Sequence, residues 1–274
     1  MQAQSPKLQW NKILLPIELP DQARRIVEQT AFLARHFRSE IILLHVESSL
    51  RDDGLGELDP ALRRELDGIA VRRLLLKGDP AREIGKMARD EKVDMIAMST
   101  HGHGVVYRFL LGSVAAKVLH DSVCPVWTSA HVAEVPAREF SIQNVLCAVD
   151  LSPHSNHTVS RAALVAADFG ARLTLVHVTD SVEMYGPGGS HVLPEWKEVL
   201  VSYATKEIAK LQQDTGVKAD VFIGSGDVPK LLSQAATQTK ADLLVTGCNP
   251  YGGHLRKTHG YGIICAVPIP VLSV

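Results

Sequence analysis

No apolar run in this 274-residue chain approaches the roughly 18 residues that a membrane-spanning helix needs. The opening Met1-Gln2-Ala3-Gln4-Ser5-Pro6 lacks the basic start and apolar centre of a secretory signal, so a cytoplasmic location is expected. Cysteine is sparse. Cys124, Cys147, Cys248 and Cys265 include no C-x-x-C pair, which argues against a disulfide scaffold or zinc ribbon and leaves them as small buried apolar residues. A basic excess is also missing. The formal net charge of −1 argues against nucleic acid or an anionic membrane as partner. What is present is a 46% hydrophobic and 22% charged composition, enough for the core of one large domain or two ordinary ones.

Short apolar runs alternate with helix-compatible stretches. Lys12 to Glu18 and Ile41 to Val46 are too compact for helices and read as buried strands. Between them, from a start at Pro20-Asp21, Ile26, Val27, Thr30, Ala31, Leu33, Ala34 and Phe37 fall on one helical face. The polar stretch after Val46 allows one short helix near residues 60–66. Val71 to Leu76 is a third strand, and Gly78-Asp79-Pro80 turns into a helix reaching Ala88. A strand ends at Met98, and Val123 to Trp127 closes the series. Strands apolar on both faces and alternating with helices predict a parallel sheet covered on both sides. Ligands of such sheets sit beyond the carboxyl ends of the strands, where strand order reverses.

After Met98 comes Ser99-Thr100-His101-Gly102-His103-Gly104, and Gly112-Ser113 then opens a further helix. Strand, glycine-bearing loop and helix start together suit an anion: small residues let backbone N–H groups approach phosphate oxygens, and the helix start adds a positive dipole end. Ser113 is placed to act as the N-cap or as a hydroxyl facing a phosphate. No Gly-Lys-Ser/Thr follows, so this is not a Walker A loop, and Tyr107 breaks the Gly-x-Gly-x-x-Gly spacing. On its own the stretch reads equally as a phosphate site or an ordinary tight loop.

The series then starts again. At an offset of 132, Asn144 to Asp150 matches the first strand, His177-Val178 matches His45-Val46, and Phe169 matches Phe37. At an offset of 148, Gly226-Asp227 matches Gly78-Asp79, and Asp242 matches Asp94. Ser152-Pro153 is expected to open the second copy's first helix as N-cap and N1. The extra residues of the second copy hold a loop, Tyr185 to Ser190, and a longer helix over 195–212. Two constant offsets carrying one element order define two homologous domains, 1–131 and 141–274, joined by a polar linker.

On these residues the chain resembles the universal stress protein family in a tandem form. The family's loop is Gly-x2-Gly-x9-Gly-Ser/Thr, and here the first copy reads Ser99-x2-Gly102-x9-Gly112-Ser113. Pro16-Ile17-Glu18 resembles the family's Pro-x-Asp, with a glutamate that reaches about one bond further. The resemblance implies two five-stranded parallel-sheet α/β/α domains of Rossmann-like, adenine-nucleotide-binding type, forming a pseudo-dimer in which the strands around Val126 and Val271 meet. It implies ATP with Mg2+ or Mn2+ on its phosphates. Pro16, Ile17, Glu18 and Val46 would border base and ribose, and Met98, Ser99, His101, Gly102, Gly112, Ser113 and Val114 the phosphates. The second copy reads Gly247-x2-Pro250-x9-Gly260-Tyr261, and its following helix is about three residues shorter. Asp150, Val178, Gly247 and Gly260 thus mark a weaker second site.

No residue set announces catalysis. Neither Ser-Gly-Gly-x-Asp-Ser nor His-Ile-Gly-His occurs, so a nucleotide-responsive regulatory or protective module is expected rather than an enzyme. The alternatives are a nucleotide-free stress scaffold or a slow ATPase with a bound metal. Further homodimerisation is compatible with either. His101, His103 and His120, or His254, His259 and Cys248, match no standard zinc spacing, so no protein-held metal is expected. His45 and His177 are expected to be structural.

Overall fold

The computed structural model describes residues 8–17, 24–47, 60–100, 111–129, 140–179, 184–186, 189–191, 194–247 and 261–274. They fall into two compact units, one built on Leu8–Ser141 with Pro270–Val274 and the other on Ile142–Ile269.

In the first unit the order is β1 (Lys12–Pro16), α1 (Arg24–Phe37), β2 (Glu40–Glu47), α2 (Pro60–Glu65), β3 (Val71–Lys77), α3 (Pro80–Asp90), β4 (Met95–Ser99), α4 (Ser113–Asp121) and β5 (Val126–Ser129). The five strands are parallel in the order β3-β2-β1-β4-β5. Strand order therefore reverses between β1 and β4. Burying both faces explains the unbroken apolar runs: Ile13, Leu14, Leu15, Ile41, Ile42, Leu44, Ile96 and Ala97 are wholly inaccessible. Trp127 on β5 is likewise buried, and its indole N–H donates to Gln29 Oε1 on α1 at 2.9 Å, which satisfies both buried polar groups. The apolar face expected of α1 is its buried face, although Phe37 is half-buried, edge-on to Trp10 at 4.9 Å.

In the second unit β6 (Asn144–Ala148), α5 (Ser155–Phe169), β7 (Arg172–Thr179), β8 (Met184–Gly186), β9 (Gly189–His191), α6 (Pro194–Thr215), β10 (Asp220–Ser225), α7 (Val228–Gln238) and β11 (Leu243–Thr246) follow. Residues 261–266 are helical, and β12 (Val271–Ser273) comes last. The parallel order is β10-β7-β6-β11, so the reversal recurs between β6 and β11. β12 lies within the first unit, antiparallel to β5, with Leu272 opposite Trp127. The strands expected to meet around Val126 and Val271 do so.

The repeat is visible bond by bond. Asp94 Oδ2 accepts from the N–H groups of Asn11 (2.8 Å) and Lys12 (2.9 Å), tying the turn before β4 to the start of β1. Asp242 Oδ2 accepts from those of Gln143 (2.8 Å) and Asn144 (2.9 Å) in the same way. Asp79 and Asp227 are N-caps of α3 and α7, accepting from Arg82 N–H at 2.8 Å and Lys230 N–H at 3.0 Å.

Several expectations change. Ser152 and Pro153 do not open α5; the helix starts at Ser155 with His154 as its cap residue, because Asp150 ties the preceding turn to itself. The expected loop from Tyr185 contains β8 and β9, a short antiparallel hairpin. β5 begins at Val126 rather than Val123, which is exposed. Cys147 is buried as expected, and burial pushes its thiol up to about 12, while Cys124 and Cys265 are half-buried. Among the described residues no helix is long and apolar enough to cross a membrane.

Candidate functional site

At the reversal in the first unit, β1 sits between β2 and β4 with all three carboxyl ends at one side of the sheet. The connections from β1 and β4 leave for opposite sides of the reversal, the place where sheets of this kind form a ligand crevice. Pro16 ends β1 half-buried. Ile17 is buried, its N–H donating to Leu44 O at 2.9 Å. His45 on β2 hydrogen-bonds through Nδ1 to Ile17 O at 2.9 Å. That contact fixes the strand end beneath the crevice, and His177 repeats it on Val149 O at 2.8 Å. The structural role expected of both histidines is the observed one. Val46 is half-buried near the end of β2. Across the reversal, Met98 is buried and Ser99 half-buried at the end of β4.

The opposite wall is the start of α4. Gly112 N–H donates to Thr100 O at 2.8 Å, so the chain returns to the strand end before the helix begins. The N-cap is Gly112, at φ −59, and not Ser113, which is exposed at the first helical position. Among the described residues no side chain caps this helix. α3 and α7 spend an aspartate on their first-turn donors; α4 leaves its own to whatever lies in front of it. Val114 is half-buried behind them. Lys117 Nζ lies 3.4 Å from Asp79 Oδ1 and links the starts of α3 and α4. The Asp79 carboxyl is held below its usual range by the Arg82 N–H first and Lys117 second. Glu18, His101 and Gly102 lie outside the described residues.

A further acid, absent from the sequence reading, belongs to this end of the sheet. β2 continues one residue past Val46 to Glu47, whose side chain is only 7% exposed. The apolar pattern stops at Val46; the strand pairing, Glu47 opposite Lys77, does not. An acid directly after a buried strand was the available signal.

The second unit puts its corresponding residues to internal use. Asp150 Oδ1 accepts from Ser152 N–H and Ser155 Oγ, both at 3.0 Å. Leu151 takes the left-handed conformation, φ 57, to make that turn. Gly247 is exposed, yet a Cβ there would lie 2.8 Å from Thr158 Oγ1 on α5. Val178 is half-buried opposite Gly224. Residues 261–266 are helical, and the residues before them, where the sequence predicts a late helix start, lie outside those described. Gly260 lies outside the described residues, as do His101, His103, Cys248, His254 and His259 of the rejected zinc sets. His120 Nδ1 contacts Asp121 Oδ1 at 2.6 Å, and among the described residues no three ligating side chains converge on a metal position.

Comparison with known proteins matches the pattern of the Universal stress protein family twice, over residues 9–129 and 141–272. A universal stress protein of Thermus aquaticus is 32% identical over 133 residues, covering 43% of this chain and 96% of that protein. One from Methanocaldococcus jannaschii is 29% identical over 136 residues, covering 43% of this chain and 80% of its own. Among solved structures, a universal stress protein from Archaeoglobus fulgidus aligns with a TM-score of 0.66 at 23% identity, over 97% of this chain and 96% of that one. A putative universal stress protein from Pseudomonas aeruginosa aligns at 0.71 and 18% identity, over 96% and 92%. At such identities these two structures speak for the fold alone.

Proposed function

The chain belongs to the universal stress protein family, with the family's unit present twice, and from that premise we propose that it is an ATP-responsive regulatory or protective module whose nucleotide lies in the first repeat. The observation that carries the reading is the undefended start of α4. Its N-cap is a glycine, no side chain among the described residues caps it, and it follows β4 at the β1/β4 reversal. A polyphosphate supplies the negative charge and acceptor oxygens that such a helix start lacks.

In this reading Pro16, Ile17, Glu18 and Val46 border the base and ribose. Met98, Ser99, His101, Gly102, Gly112, Ser113 and Val114 border the phosphates. Mg2+ or Mn2+ would be carried on the phosphates rather than by a protein ligand set. The second repeat binds weakly or not at all, since Asp150 is engaged by its own turn and Gly247 by Thr158. That repeat then serves folding and docking, which is the scaffold reading confined to half of the chain. The pairing of β12 with β5 supports an internal pseudo-dimer.

Calorimetric titration with MgATP tests the proposal. One site per chain is expected, and Gly112→Asp, which gives α4 an anionic cap of its own, should weaken binding by about tenfold or more without loss of thermal stability. Two equal sites per chain, or affinity unchanged in Gly112→Asp, would contradict it.

A further inference from the structure

Resting on the proposal that a nucleotide occupies the first repeat, we infer that Glu47 reads the ribose hydroxyls of that nucleotide and is its sugar-selecting residue. The Glu47 side chain is 7% exposed and sits at the carboxyl end of β2, one residue beyond Val46. Among the described residues its carboxyl group accepts no hydrogen bond. The one cation near it among the described residues, Lys77 Nζ, is 3.8 Å from Oε2, and the Lys77 side chain is 69% exposed. A loose contact to a solvated lysine leaves most of the lone pairs of a buried carboxyl group unused, and burial without donors is costly.

The second repeat shows what this position holds when it is only structural. There the residue is Thr179, buried, with its hydroxyl donating to Gly224 O at 3.2 Å. The group is neutral and satisfied within its own sheet. The acid is thus confined to the repeat with the undefended helix start, and it occupies the end of the strand next to the β1/β4 reversal. In doubly wound sheets an acid near that place accepts from a ribose hydroxyl and disfavours a phosphate there. Two carboxyl oxygens match two vicinal hydroxyl donors, whereas a base edge offers a mixture of donors and acceptors that the adjoining Val46 backbone is better suited to meet.

The experiment is calorimetric titration of the full chain with MgATP, Mg-2′-deoxy-ATP and Mg-3′-deoxy-ATP, on the natural protein, Glu47→Gln and Glu47→Thr. The natural protein should bind ATP about tenfold or more tightly than at least one deoxy analogue, the size expected when a buried acceptor loses its donor. Glu47→Thr, which installs the second repeat's residue, should bring that ratio within about twofold, and Glu47→Gln should lie between. ATP and both analogues binding equally to the natural protein would overturn the inference while leaving nucleotide binding intact. A ratio that survives both substitutions would overturn it too. Absence of binding by all three would remove the parent proposal and this inference together. The comparison of analogues on the natural protein holds even if a variant folds poorly.

Discussion

At Gly247 there is no room for a methyl group, since its Cβ would stand 2.8 Å from Thr158 Oγ1. Gly247→Ala should therefore destabilise the protein by about 1–3 kcal/mol. Urea denaturation measures this, and Thr158→Ala in the same chain should return part of the loss, because the two sites are in contact. Glu91 allows a different test. Arg72 foremost, then Lys12, holds its carboxyl at about 2 against an ordinary 4.5. A folded pKa below the unfolded one contributes stability that is complete above about 4.5 and is lost as pH falls towards 2. Glu91→Gln should flatten the fall of the urea midpoint across that window, and identical slopes in both proteins would contradict the assignment. At this scale the sequence speaks unevenly. Asp79 and His45 declare their roles through spacing and recurrence. Asp150 is visible as a carboxyl group, but its partners Ser152 and Ser155 are not, since a turn with Leu151 in a left-handed conformation has no composition signal of its own. Glu47 is hidden because an apolar pattern ends where side chains change, whereas a strand ends where backbone pairing stops.

Among the elements, helix ends carry the differences between repeats. α1 and α5 close with the same bond, Ser39 N–H to Ala34 O at 2.9 Å and Ala171 N–H to Ala166 O at 2.8 Å. The left-handed residue between them is Gly170 (φ 62) in one and Arg38 (φ 58) in the other. Arg38→Gly should thus raise stability by about 0.5–1 kcal/mol, read as a higher urea midpoint at unchanged slope. A fall would mean that the arginine side chain contributes more than its backbone costs. Element type and order were legible because the apolar runs are short and unbroken. Boundaries were less so. α4 begins at its expected cap, Ser113, one residue early, because Gly112, with no side chain, gives no capping signature. β8 and β9 escaped because Gly-Pro-Gly-Gly dominates the stretch around residue 187 and a three-residue strand offers no period to read.

For the whole molecule, the decisive pairing is the one that sequence pattern carries least directly. Two constant offsets disclose the duplication, but only an assumed likeness to paired relatives suggests that residues near 271 lie against those near 127. Without β12, β5 would present an unpaired edge beside the buried Trp127. Deletion of residues 270–274 should accordingly give a protein that associates with itself as concentration rises, measured by sedimentation velocity against the intact chain. A truncated chain that stays monomeric at concentrations where edge pairing is expected would show that β5 needs no cover.

The partner of β5 arrives late in synthesis. Thr128 donates its hydroxyl to Val271 O, a residue 143 positions downstream. On the ribosome, the first repeat can therefore gather its five parallel strands long before the antiparallel border exists. Throughout that interval Val126–Ser129 lacks its β12 partner and is open to nascent neighbours with the same sequence. Speed of elongation through the second repeat, or a chaperone held over that edge, thus bears on how much of the product reaches its finished form.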